Sequence, residues 1–528
     1  MKNLFAGIDS STQSTKLIII DFDTKEVIYN DSVIYDTDLS KYNTKNGVIQ
    51  NLGKGVSESN PGMWIEALEI LFTRLKESTI PQQNINAISV SGQQHGLVAL
   101  DAEGNLTRNT SKLWNDYSTK EECEILTETV GGLKNMIDEV GNSQLPGYTA
   151  AKIFNFVRNE PEAYQRTSTL FLVHNYINWY LTGGKNDGIR VMEPGDTSGM
   201  ALWNPKSKRW SNKVINIISS TLIQKLPEVK PSNKSIGFIG ENIVEKFGLN
   251  PKCKIDAGSG DNMYGAIGTG NIEHGILTIS LGTSGTAYTF LEKPFIDTKG
   301  EIAAFCDSTG NYLPLVCVSN LANGYNELLK QNKLTHQEFD NIIKVTKPGN
   351  DGRVLIPWYE GERTPSVPLA TPTYFGFGLE DFTKEILARV VLEGHVLNLF
   401  DAFKKLPVKV NEIRLTGGLS KSKSWRQTIA DIFEAETVPV EGEGAALGAA
   451  LHAAWVWNNE NGKAIELKEI IKPFIKLIEA EREKPIEKNV AIYKNQKRLF
   501  TALSKRLRNS SDDDIFDLRS KLVNSTNK

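Results

Sequence analysis

The chain is short of cysteine, lacks any long apolar run and has no surplus of positive charge. Each absence removes a class of function. Cys123, Cys253, Cys306 and Cys317 are the 4 cysteines in 528 residues, scattered without a C-x-x-C pair. That spacing suits neither a disulfide frame nor a zinc site, and it implies reduced thiols in a cytoplasmic protein. No apolar segment approaches the ~18 residues that would span a bilayer. The first residues, MKNLFAGIDSSTQ, carry one lysine and soon turn polar, so no secretory signal is expected. Lys and Arg total 60 against 63 for Asp and Glu, a formal net charge of −3. A nucleic-acid binder would usually show a basic excess. With 40% hydrophobic and 23% charged residues, the chain has the profile of a globular protein, and its length calls for several domains.

What the chain does have is glycine set among hydroxyls, in matching places. Residues 4–23, LFAGIDSSTQSTKLIIIDFD, read as a strand, a hydroxyl-rich turn and a second strand. Residues 276–290, ILTISLGTSGTAYTF, repeat the pattern about half a chain later. Either hairpin alone is a simple polar turn. Two of them suggest a duplicated domain whose bare backbone N–H groups could cradle phosphate. Residues 411–434, NEIRLTGGLSKSKSWRQTIADIFE, predict a strand ending in Gly417-Gly418, caps at Ser420 or Ser422, and a helix burying Trp425, Ile429 and Phe433. Strand, Gly-Gly and helix place a helix N-terminus at the carboxyl end of a strand, where α/β sheets bind nucleotides. The following VPVEGEGAALGAALHAAW predicts a strand, a Gly turn and a helix of small residues that packs closely on a sheet.

The first half has its own polar constellation. AISVSGQQHG (87–96) predicts a strand delivering Gln93, Gln94 and His95 to a loop, donors and acceptors that suit a polyol. A hydrogen-bonding loop histidine is the plainer reading of His95. Trp114, in LWNDYS, is either a sugar platform or a core residue beside a helix cap. NPGMWIEALEILFTRL (60–75) predicts an amphipathic core helix. DAGSGDNMYGAIGTG (256–270) sets Asp261 and Asn262 among small residues. Turn chemistry explains that stretch taken alone, but glycines also let another molecule approach the carboxylate.

These elements, in this order, resemble the FGGY family of carbohydrate kinases from GIDSSTQSTK to the small-residue helix ending near Trp457. The most specific pieces are SGQQHG, LWND, GSGDN, SLGTSG, GERTP (361–365) and LTGG followed by WRQTIADIF. The chain departs from the family pattern at Ser11, where Gly is common, and at Asn155 in GYTAAKIFNF, where Trp is usual; residues 374–393 form an imperfect second signature. The resemblance implies an α/β protein of two actin-like, ribonuclease-H-like domains with the active site in the cleft between them. Expected segments are 1–252 for sugar and the first phosphate loop, 253–486 for the catalytic Asp and ATP, and 487–528 as a charged helical end with SDDD at 511–514.

The activity implied is ATP-dependent phosphorylation of a sugar, with QQHG pointing within the family to D-xylulose and its 5-phosphate. Asp261 is then the general base and a sugar contact. Asn262, Gln94 and His95 bind the sugar, with Trp114 and Gln144 lining the pocket. Asp9 is the Mg²⁺-associated carboxylate. Ser11, Thr12 and Lys16 meet phosphates from the first hairpin, Gly282 and Thr283 from the second, and Gly417, Gly418 and Lys421 hold the adenosine side. Lys16 and Lys421 also read as ordinary surface lysines. The alternatives are another pentulose or polyol (ribulose, gluconate), an ATP-driven binding switch, or a sugar-sensing regulator without catalysis. The switch would need a peptide-binding domain that the length does not allow, and a non-catalytic regulator is not supported while Asp9 and Asp261 are both present. Expected partners are the sugar and ATP, with no nucleic acid and no membrane. The oligomeric state is open, a homodimer included.

Overall fold

The computed structural model describes residues 3–442, 444–510 and 512–526. They form two compact units interleaved along the chain. The first comprises 1–272, 291–314 and 442–475; the second comprises 273–290, 315–441 and 476–528. A single cut near residue 252, expected from the sequence, would miss this interleaving.

The first unit is built on a sheet in the order β3-β2-β1-β4-β6-β5, with short β7 also paired to β4. Its strands are β1 (Leu4–Ser10), β2 (Ser14–Asp21), β3 (Glu26–Ile34), β4 (Ile85–Gly92), β5 (Ser235–Phe238), β6 (Lys254–Asp256) and β7 (Ser259–Gly260). The expected hairpin is β1–β2, antiparallel from Leu4↔Asp21 to Ser10↔Thr15. Strands β4, β6 and β7 run parallel to β1. Alternation along the strands divides the core between two faces. Leu4, Ala6, Ile8, Leu17 and Ile19 pack with the helix Pro61–Glu77 through Trp64, Leu68 and Leu71. Phe5, Ile18 and Ile20 pack with the helix Gly444–Glu460 through Ala446, Ala449, Ala450 and Ala453. Each fully buried Leu contributes roughly 1.5–3 kcal/mol. The helix Pro61–Glu77 starts as its sequence dictates, with Pro61 in the first turn and the Asn60 side chain accepting from Gly62 N at 2.8 Å.

The second unit repeats the plan. Its sheet runs β10-β9-β8-β11-β12-β13, from β8 (Ile276–Leu281), β9 (Gly285–Thr289), β10 (Leu315–Val318), β11 (Glu412–Thr416), β12 (Glu436–Glu441) and β13 (Lys476–Leu477). Three antiparallel strands, two parallel additions and an antiparallel edge follow in the same sequence of directions as in the first sheet. The charged C-terminal segment forms two helices, Glu487–Arg506 and Ile515–Thr526. Ser511 of the SDDD stretch lies outside the described residues. Among the described residues no helix is long and apolar enough to cross a membrane.

Candidate active site

In the first unit the parallel strands β1, β4 and β7 end together. Asp9, Ser91 and Ser259 lie in one row of the register, and Ser10, Gly92 and Gly260 in the next. The chain beyond that edge delivers the polar residues singled out above, as expected for carboxyl ends of parallel strands. Asp261 opens the helix Asp261–Gly268 directly after β7. Asp9 accepts the Ser91 hydroxyl at 2.7 Å and stands opposite Lys16 across the hairpin.

Asp261 is partly exposed. Its carboxyl is pushed up to about 7, first by desolvation and then by the negative charges of Asp9 and Asp196; hydrogen bonds from Asn262 oppose the rise. Asn262 Nδ2 donates to Gln94 Oε1 at 2.8 Å, which joins GSGDN to QQHG. A side chain at Gly260 would strike Gln94, with Cγ 2.7 Å from the added Cβ, so the small residue there is a packing requirement. Gln94 Nε2 and Gln144 Oε1 are buried without a hydrogen-bond partner, and such atoms invite a polar ligand. Gln144 anchors by donating to Ala201 O at 2.9 Å.

His95 holds a left-handed backbone, φ +66. That conformation costs a non-glycine residue about 1–3 kcal/mol and persists only when its surroundings enforce it. Here Lys152 Nζ donates to His95 O at 2.8 Å and to Gly147 O at 2.7 Å, and Thr149 adds its hydroxyl at 3.3 Å. Burial brings the Lys152 ammonium down to about 7. The His95 ring meets Tyr148 edge-on at 4.9 Å and Phe305 at 5.8 Å. Trp114 is half-buried, and its indole N–H donates to Thr12 Oγ1 at 3.0 Å, which in turn donates to Gln93 Oε1 at 3.2 Å. Thr12, assigned to phosphate, is thus bonded to residues of the sugar loop. The Ser11 hydroxyl closes its own turn on Ser14 O at 3.0 Å.

Sequence reasoning missed several residues here. Lys152 lies in GYTAAKIFNF, where no neighbouring residue marks it. Glu193, Asp196 and Gly199 belong to a segment that was not singled out at all. An added Cβ on Gly199 would lie 2.5 Å from His95 Cε1, so the segment touches the sugar loop directly. Only the buried Glu-x-x-Asp beside glycines, EPGD, could have flagged it.

In the second unit β8 and β11 run parallel, Ser280 beside Thr416, and both end in glycine-rich loops. Gly282 and Thr283 are exposed. Thr283 lines a recess of about 620 Å³ with Ser319, Asn323, Tyr359 and Leu387. Gly417 has φ +85, and a Cβ there would sit 2.6 Å from Leu281 O; Gly418 faces open space. Lys421 is exposed. Ser422 caps the helix Lys423–Phe433, which buries Trp425, Ile429 and Phe433 as predicted. GERTP is held by Glu362, which accepts from Ser319 N at 2.5 Å, Arg363 N at 2.7 Å and Asn398 Nδ2 at 2.9 Å.

Among the described residues no three His, Cys, Asp or Glu side chains gather into a metal cage. A single carboxylate such as Asp9 fits Mg²⁺, which keeps most of its waters and takes few protein ligands.

Residues 4–268 match the N-terminal domain of the FGGY family of carbohydrate kinases and residues 277–457 its C-terminal domain. A protein of Haemophilus influenzae named xylulose kinase is 36% identical over 95% of this chain and 99% of its own. The crystal structure of a xylulose kinase from Bifidobacterium adolescentis matches 94% of this chain and 99% of its own at 26% identity, TM-score 0.78. That of a gluconate kinase from Lactobacillus acidophilus, 24% identical over 96% and 98%, shares the fold at TM-score 0.84. The chain belongs to the FGGY family of carbohydrate kinases.

Proposed function

We propose that this protein transfers the γ-phosphoryl group of ATP to the terminal hydroxyl of D-xylulose, giving D-xylulose 5-phosphate and ADP. The observation that carries the reading is Asp261: a partly exposed carboxylate at the ends of parallel strands, raised to about 7 and bridged by Asn262 to Gln94. The names of the full-length relatives support xylulose as the sugar.

Asp261 accepts the proton of the sugar hydroxyl as that oxygen attacks phosphorus. The new O–P bond forms while the bond to the β,γ-bridging oxygen breaks, and ADP carries that electron pair away. A carboxylate with pKa near the working pH is well matched to this task. Gln94 and Gln144 offer buried, unsatisfied polar atoms to the sugar. His95, fixed by Lys152 at its carbonyl, sets its ring against Tyr148 and Phe305. Thr283 and the Gly417-Gly418 turn offer unhindered backbone to the nucleotide. Mg²⁺, held near Asp9, would neutralise charge developing on the phosphates. The free cysteines agree with a reducing, cytoplasmic setting.

The test is a coupled ADP-release assay with ATP, Mg²⁺ and a panel of D-xylulose, D-ribulose, L-ribulose, gluconate and glycerol. Turnover on D-xylulose alone bears the proposal out. Turnover on another polyol keeps the chemistry and replaces the sugar. ATP binding with no turnover on any of them discards the enzyme reading.

A further inference from the structure

His174, Glu193 and Asp196 are ionisable and fully buried. Burying charge is costly unless it serves a defined geometry. Glu193 caps the turn Pro194–Thr197, accepting from Gly195 N at 2.6 Å and Asp196 N at 2.7 Å. A Ser or Asp would do that much. Glu193 reaches further: it accepts the Ser232 hydroxyl at 2.7 Å and the Ser259 hydroxyl at 3.2 Å. Ser259 is the first residue of two-residue β7, and the chain leaves that strand as Asp261. Gly195 is in contact with the same hydroxyl, since a Cβ there would fall 2.3 Å from Ser259 Oγ.

His174 closes the arrangement. Its backbone N occupies the space where a side chain on Gly92 would lie, 2.7 Å from the added Cβ, and its ring Cδ2 does the same at Gly258, 2.9 Å. Gly92 ends the strand leading to Gln94 and His95, and Gly258 precedes Ser259. One histidine is therefore packed against the roots of both loops. Its Nε2 is 3.8 Å from Glu193 Oε1, and its Nδ1 is 3.3 Å from Asp196 Oδ2.

We propose that Glu193 is a positioning residue for the reacting carboxylate, gripping β7 through Ser259, with His174 as the wedge that keeps the sugar loop in step. This rests on Asp261 being the general base. Both Glu193 oxygens are taken up by Gly195, Asp196, Ser232 and Ser259, so its role is alignment, where small displacements lower the rate of a pre-organised site.

The test compares Ser259→Ala, Glu193→Gln, the double variant and Asp261→Ala in the sugar-kinase assay, with thermal unfolding of each. Expected are about 10–100-fold losses of kcat in both single variants, with the KM for sugar and for ATP within about twofold. The double variant falls no further than the worse single one, because both act through one strand. Ser259→Ala removes a single hydroxyl, so it decides the matter even if Glu193→Gln does not fold. Wild-type kcat in Ser259→Ala beside an inactive Asp261→Ala overturns the inference and leaves the base assignment standing. Additive losses accompanied by a raised KM and lower unfolding temperatures mark an ordinary packing role and also overturn it. Full activity in Asp261→Ala removes the base assignment and the inference with it.

Discussion

Asp261→Ala is expected to lower kcat by about 10²–10⁴-fold, the range for a lost general base, with ATP still bound in a filter or calorimetric assay. The raised carboxyl also sets the pH dependence. The base works ionised, so kcat/KM for the sugar should be level above about pH 7 and fall about tenfold per unit below it. Asp196→Asn removes one of the negative charges that raise this carboxyl, and should move the acid limb to lower pH. A profile recorded between about pH 5.5 and 8.5 checks both; a limb unmoved by Asp196→Asn would remove that charge from the account. Asp261 was legible in GSGDN because carboxylate, amide and glycine lie together in the chain. Lys152 and Asp196 were not, since what marks them is three-dimensional: one supports the His95 carbonyl, the other raises a carboxyl from a different segment.

At the scale of elements, glycine records where backbones touch. The helix Gly444–Glu460 lies so close that a Cβ on Gly448 would stand 1.9 Å from Tyr264 O, and one on Gly7 2.0 Å from Ala446 O. Gly448→Val should lower stability by roughly 1–3 kcal/mol, as overpacking does, read as a drop in the chemical-denaturation midpoint. The Gly417 turn predicts a different outcome. Its φ of +85 and the Leu281 carbonyl 2.6 Å from an added Cβ exclude a side chain. Gly417→Val should raise the KM for ATP while leaving that for the sugar near wild type; equal changes in both would detach this turn from the nucleotide. Both hairpins and the helix Lys423–Phe433 could be read from periodicity and capping. The partner of the small-residue helix could not, because small residues announce close packing without saying on what.

The whole molecule is one plan used twice. Each sheet has an antiparallel hairpin and third strand on one side, two parallel strands on the other, and an antiparallel edge. The first copy carries the carboxylates and amides; the second carries the bare glycine turns. A sugar that binds the native state alone should raise its stability by about 2.7 kcal/mol at a hundred times its Kd. D-xylulose should therefore still raise the unfolding temperature of Asp261→Ala, by less than that of the wild type, because that variant loses one sugar contact and keeps Gln94 and Asn262. No shift in either protein would remove D-xylulose as the ligand.

The sequence alone determined the class of fold, the duplicated hairpins and the groups able to do the chemistry, because strands, caps and glycine turns are local properties of neighbouring residues. Tertiary structure decided how the chain is divided. Residues 442–475 return to the first unit because their apolar face, Ala446, Ala450 and Leu451 among it, matches the face of β1 and β2 that the helix Pro61–Glu77 leaves uncovered. It also decided the company Asp261 keeps: Asp9, Asp196 and Gln94 lie far from it in sequence, and the fold brings them together, Asp9 and Gln94 from the ends of parallel strands and Asp196 from the turn Pro194–Thr197.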